Sequence, residues 1–179
     1  DVATNINDAA GIFVRDSNIL IRNNVIHDVY AGGSRCPGWG IYLGCETRDT
    51  QVLSNLVYGT LESVHVWYYD RDVLIENNIF VDGMLQQIEM NGWNDYSKWL
   101  ERMAPAYEKY SKLPGWQKYA RLAKGGHPKD AVPMGGNRIR RNIIYYTDAD
   151  AMLYKYRSNA TKFLKDFQCD ENLIWHQGK

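Results

Sequence analysis

Three residues stand out for the chemistry they could share. Tyr42, His65 and Glu89 bring a phenol, an imidazole and a carboxylate, each set inside a short apolar run: "GIYL", "VHVW" and "QIEM". An imidazole beside a carboxylate holds or releases a proton near neutral pH, and two carboxylates flanking a bond are the equipment of acid–base hydrolysis. Second carboxylates follow closely, Glu46 after the first run and Asp70 after the second. Trp67, two residues past His65, offers a flat apolar face, and Arg15, Asn91 and Lys155 occupy comparable places after other runs. These groups can act together only if the runs that carry them stack side by side.

The chain contains a repeat that would do this. Five segments align on one asparagine: "IRNNVIH" on Asn24, "VLSNLVY" on Asn55, "IENNIFV" on Asn78, "IRRNIIY" on Asn142 and "CDENLIW" on Asn172. Apolar residues recur three places before it (Ile21, Val52, Ile75, Ile139, with Cys169 in the fifth) and in the two places after it. Successive asparagines are 31, 23, 64 and 30 residues apart. Short β-branched runs between Gly, Asp, Asn and Ser read as strands and turns, and a unit of this length with several short strands buries its inner face only by stacking on its neighbours. The expected fold is therefore all-β, a parallel β-helix of about five coils with the asparagine amides stacked as a ladder in one turn. Strict alternation places Ile12 and Val14, Ile41 and Leu43, Val64 and Val66, and Ile88 and Met90 inside. Phe13, Tyr42, His65 and Glu89 then face outward, one per coil, in rows ~4.8 Å apart. Two residues on, the same face carries Arg15, Gly44, Trp67, Asn91 and Lys155.

The long spacing holds one coil plus an insertion at about 92–134, rich in aromatic residues at helical spacing, with Pro105 as a breaker and Gly125–Gly126 as a stop. An α-helical insertion is expected there, packed by its aromatics, with Trp93 placed to line a groove wall.

With 21 basic and 21 acidic residues in 179, the net charge is zero, which argues against a duplex nucleic-acid partner. No apolar run approaches the ~20 residues of a membrane span. Both ends fall inside the repeat without a capping helix, so the ends are expected to continue into, or pack on, further coils or other chains. Cys36 and Cys45 pair in an oxidising compartment or stay free, as Cys169 does; without CxxC or His/Cys clusters, and without an acidic calcium loop, no metal or cofactor is expected.

"GIYLGCETRDTQVLSNLVYGT" and "DVLIENNIFVDG" resemble coils of the right-handed parallel β-helix repeat proteins. "NNIFVDG", the Trp-rich insertion and the return through "NRIRRNI" are similar to the secreted bacterial β-helix glycoside hydrolases, whose scaffold the polysaccharide lyases share. The resemblance covers all of 1–179 as one domain. It implies a right-handed coil, a secreted or periplasmic bacterial protein, and a polysaccharide or oligosaccharide as the partner. The resemblance carries no catalytic residue over; from its place on the outward strand row beside His65, Glu89 is the expected general acid or nucleophile, paired with Asp70 or Glu46. His65 tunes its proton, and Tyr42, Trp67, Asn91, Arg15, Lys155 and Trp93 bind sugar. Two other classes stay open. A lyase acting on a uronic-acid polymer would use His65 and Tyr42 for proton transfer and Arg15 or Lys155 as neutraliser, and Lys155 and Arg157 in "YKYRS" suit an acidic sugar. A non-catalytic glycan-binding or structural β-helix would use the same face only to bind.

Overall fold

The structure, a computed structural model, describes residues 9–29, 38–44, 47–67, 70–91, 105, 108–109, 112–114, 134–157 and 167–177. Cys36, Cys45, Glu46, Trp93 and nearly all of the expected helical insertion lie outside the described residues. The chain forms two compact units, 1–92 with 133–179, and 93–132, and every described strand belongs to the first.

Each coil contributes three short strands. The first coil has β1 (Ala10–Val14), β2 (Leu20–Arg22) and β3 (Val25–His27); the second has β4 (Trp39–Leu43), β5 (Gln51–Leu53) and β6 (Leu56–Tyr58). The third has β7 (Glu62–Trp67), β8 (Leu74–Glu76) and β9 (Ile79–Val81); the fourth has β10 (Gln86–Asn91), β11 (Arg138–Arg140) and β12 (Ile143–Tyr146). The fifth has β13 (Met152–Tyr156), β14 (Gln168–Asp170) and β15 (Leu173–His176). Equivalent strands of successive coils pair in parallel, giving three five-stranded sheets in the orders β1-β4-β7-β10-β13, β2-β5-β8-β11-β14 and β3-β6-β9-β12-β15. This is the arrangement of a parallel β-helix or solenoid. The long sequence spacing falls between β10 and β11, inside the fourth coil. No helix among the described residues is long and apolar enough to cross a membrane.

The lumen is filled by columns of like residues held in register. Ile21, Val52, Ile75 and Ile139 stack in one sheet, and Ile26, Val57, Phe80 and Ile144 in the next. Ile41, Leu43, Val64, Val66, Ile88 and Met90 complete the same buried cluster from the third sheet. A parallel sheet is apolar where it is covered, and here each coil covers the next.

The asparagine ladder sits in the two-residue turn between the second and third strand of each coil. Nδ2 of Asn24, Asn55, Asn78 and Asn142 donates to Oδ1 of the next asparagine at 2.9, 3.0, 2.9 and 2.9 Å. The backbone N–H of each donates to the same oxygen. Nδ2 of Asn55, Asn78, Asn142 and Asn172 also caps a strand carbonyl of the preceding coil, on Ile21, Val52, Ile75 and Ile139. The residue before each ladder asparagine, Asn23, Ser54, Asn77, Arg141 or Glu171, has φ between 53° and 58°. That left-handed conformation costs a non-glycine residue ~1–2 kcal/mol, and the ladder bonds offset it in every coil.

Alternation breaks at one place in the outer sheet. A Cβ on Gly11 or Gly40 would strike lumen residues, Ile26 and Val57 respectively, yet the next residue of β4, Ile41, is also in the core. Two consecutive residues thus turn inward, and the residue before them, Trp39 in β4 and Glu62 in β7, turns out. Glycine at 11 and 40 follows from this close approach of backbone to lumen side chains.

Removing a central rung should cost far more than removing an end one. Asn78→Ala strips partners from the buried Asn55 amide and the Val52 carbonyl, so a loss on the order of 3 kcal/mol is expected, against ~1 kcal/mol for Asn24→Ala at the part-exposed first rung. Urea denaturation of both variants reads the difference; equal, small losses would show that the ladder does not hold the coils.

Candidate functional site

The outer sheet brings the expected row together. Tyr42 pairs with His65, His65 with Glu89, and Glu89 with Lys155, while Phe13 lies beside Tyr42. Lys155 therefore stands in the same row as Glu89. Its expected place beside Asn91 is corrected, because β13 pairs with β10 two residues out of the expected register, Ile88 facing Tyr154. The Asn91 row, which also holds Trp67, is extended by Arg157, one residue past the Met90–Tyr156 pair. The break in alternation adds a row that strict periodicity turns inward: Trp39, Glu62, Gln86 and Met152.

The face is shielded where an open ladder was expected. Tyr42, His65 and Glu89 are buried, at 1%, 3% and 0% exposure. Part of the reason is mutual cover by large rings. Tyr42 stacks on Phe13 and on Trp39, both with ring centroids 4.6 Å apart, and Trp67 lies 5.0 Å from Tyr42 and edge-on to His65 at 5.7 Å. Phe13, half exposed, forms the outer edge of this aromatic group.

Next to the rings lies a compact polar cluster. His65 Nδ1 is 2.7 Å from Glu62 Oε2, a contact that holds one proton whichever partner carries it. Gln86 Nε2 donates to Glu62 Oε1 and, at 2.6 Å, to Glu89 Oε2, so one amide bridges two carboxylates of consecutive coils. Glu89 also accepts from Arg157 Nε at 2.6 Å on Oε1 and faces Lys155 Nζ at 3.4 Å from Oε2. Burial, partly countered by the Lys155 charge, pushes the Glu62 carboxyl up to about 7. The two carboxylates are thus served differently: Glu89 has two cations beside it, and Glu62 has a histidine and a raised proton affinity. Donor atoms of Glu62, His65 and Glu89 lie within 4.8 Å of one another, a spacing that would suit a divalent cation. The Gln86 amide between the carboxylates and the two cations on Glu89 already supply hydrogen bonds and positive charge there.

The other expected residues have separate places and partners. Asp70 is fully buried and accepts backbone N–H bonds from Thr47 at 2.7 Å and Trp67 at 3.0 Å, tying a turn to its neighbouring coil. Both its oxygens accept backbone N–H bonds, as suits a turn aspartate. Asn91 is buried beside Trp67, and Arg15 is exposed near Gly44, at the first two coils and away from Glu89. Glu46 and Trp93 fall outside the described residues. Glu62, Gln86 and Trp39 are additions. The available signal was the small residue at one offset of three runs, Gly11, Gly40 and Ser63; the fourth run has Gln87 there, its amide bonded to Gly83.

Glu62 makes stability depend on pH. Between the ordinary 4.5 and about 7 the folded chain holds a proton that the unfolded chain releases, so stability declines as pH rises through that window. The decline is on the order of 3 kcal/mol and levels off above it. Glu62→Gln should abolish this component, so the difference in melting temperature between variant and parent should change from pH 5 to 8; a constant difference would contradict the assignment. No family model, no curated protein and no solved structure matches this chain.

Proposed function

We propose that this chain is a carbohydrate-active, right-handed parallel β-helix protein, secreted or periplasmic in a bacterium, that hydrolyses glycosidic bonds in a complex polysaccharide. The α-helical insertion at 92–134 belongs to the same reading. The observation that carries it is the Glu62–Glu89 pair: two carboxylates on adjacent coils, bridged by Gln86, one with its proton affinity raised and the other beside two cations. Pairs of carboxyl groups made unequal by their surroundings mark acid and base roles.

The close approach of the pair favours a retaining reaction, for which carboxyl separations of ~5–5.5 Å serve, over an inverting one that needs room for water. Glu62 gives its proton to the glycosidic oxygen as the bond from that oxygen to the anomeric carbon breaks. A Glu89 oxygen forms the new bond to the anomeric carbon, giving a glycosyl ester. Water then attacks that carbon, Glu62 takes the water's proton, and the Glu89 carboxylate leaves. His65 holds the Glu62 proton in position, Gln86 fixes the distance between the carboxylates, and Arg157 and Lys155 limit the charge change on Glu89. Phe13, half exposed, and the part-buried Trp67 provide apolar faces for a neighbouring sugar ring, supported from beneath by the Tyr42 and Trp39 rings.

The test is a polysaccharide panel read in parallel for reducing ends and for ultraviolet-absorbing unsaturated products. Reducing ends without unsaturation are expected. Glu89→Gln should lower kcat by ~10³-fold or more, and Glu62→Gln should do so for natural linkages while sparing activated aryl glycosides, whose leaving group needs no proton. Unsaturated products would move the assignment to a lyase. Unchanged turnover in both variants would remove the pair from the mechanism, and absence of cleavage with retained binding would leave a glycan-binding β-helix.

A further inference from the structure

The outer face has a direction. Along the coil axis the rows run from Phe13, Tyr42 and Trp39, through His65, Glu62, Gln86 and Glu89, to Lys155 and Arg157. Rings occupy the first three coils, ending at Trp67, the buried carboxylates lie on the third and fourth, and Lys155 and Arg157, the cations that face them, stand on the fifth. Glu89 is 0% exposed, whereas the Arg157 and Lys155 side chains are 56% and 32% exposed. The cations therefore lie between the buried carboxylate and solvent.

Their donors outnumber what Glu89 uses. Among the described residues Arg157 is engaged through Nε, which leaves both Nη groups of a guanidinium with five N–H donors. Lys155 has three N–H donors and one acceptor at 3.4 Å. The charges are also unbalanced. In the state with Glu62 protonated, one carboxylate faces two cations. A half-exposed guanidinium fork beside an ammonium, carrying net positive charge, is complementary to a planar or tetrahedral oxyanion.

We propose that the glycan carries an anionic group, a carboxylate or a sulfate ester, on the sugar that lies over the fifth coil, where Arg157 takes it through its Nη groups and Lys155 supports it. The ring at the other end of the chain of subsites rests on the aromatic group. This inference relies on the hydrolase reading to place the scissile bond over Glu62 and Glu89; the anion contact is a matter of binding alone and is tested as such.

The experiment is calorimetric titration of the Glu62→Gln chain, which keeps the Glu89–Arg157 pair, with three oligosaccharides of equal length: a uronate, a sulfated and a neutral one. One of the two anionic probes should bind at least about tenfold more tightly than the neutral one, and the advantage should shrink with added salt. Arg157→Gln should bring the ratio of anionic to neutral affinity close to one, and Arg157→Lys should keep part of the preference. Lys155→Gln gives a second, smaller loss that does not depend on the Arg157 variant folding. Equal or tighter binding of the neutral probe, an anionic preference that survives both Gln variants, or no binding of any probe would overturn the inference. Selective anion binding by a chain that cleaves nothing would overturn the hydrolase reading instead and leave this one standing.

Discussion

A side-chain amide buried away from water must find partners for two N–H donors and a carbonyl, and in this chain the inner ladder asparagines, Asn55, Asn78 and Asn142, find them in the coils on either side. That requirement is what keeps successive coils in step. The contacts run from Asn24 to Asn172 in one direction, N–H to Oδ1, so a shift of one residue in any coil would orphan buried groups in two. The αL residue before each asparagine makes the same demand from the backbone, because only a two-residue turn of this shape aims the amide along the axis. The register of the outer sheet follows from that of the ladder. Glu62 and Glu89 meet at Gln86 only because β7 and β10 are held residue against residue.

The outer face then differs from an ordinary solvated sheet in what it buries. Rings cover rings at the first coils, which a plain structural solenoid has no need to do. Farther along, two carboxylates, an imidazole and an amide lie out of water with few bonds to spare. Burying charge is costly unless it is paired, and the chain meets the cost in two ways: cations for Glu89, a proton for Glu62. The asymmetry is the chemical content of the site. It arises from the identity of single residues at equivalent positions of the stacked coils, tryptophan, glutamate and glutamine in one row, and tyrosine, histidine, glutamate and lysine in the next.

Much of the fold was legible in the sequence because its signal is additive. Asn55 alone says little, but five asparagines with the same apolar neighbours specify a stack, and the three sheets with their parallel register follow. The row Tyr42, His65, Glu89 was legible for the same reason. Glu62 was not, since period-two alternation turns it inward with Val64 and Val66, and the break that reverses it shows only in the close approach of lumen side chain and backbone at Gly40. Asp70 showed the opposite difficulty. A carboxylate near a candidate site reads as chemistry, whereas here the backbone N–H groups of Thr47 and Trp67 each donate to one of its oxygens. Burial of Tyr42 and His65 was illegible too, because it depends in part on rings contributed by different coils, Phe13, Trp39 and Trp67, packing on them.

The proposed chemistry depends most on the two carboxyl groups being unequal, and that can be observed on the atoms concerned. With glutamate side-chain carboxyls labelled with carbon-13, subtracting the Glu62→Gln spectrum isolates the Glu62 resonance through a pH series. A midpoint near 7 is the expected result, set by burial next to His65 and Gln86. A midpoint in the ordinary range near 4.5 would mean that Glu62 is a plain carboxylate at neutral pH, and the acid–base assignment would be contradicted at its source.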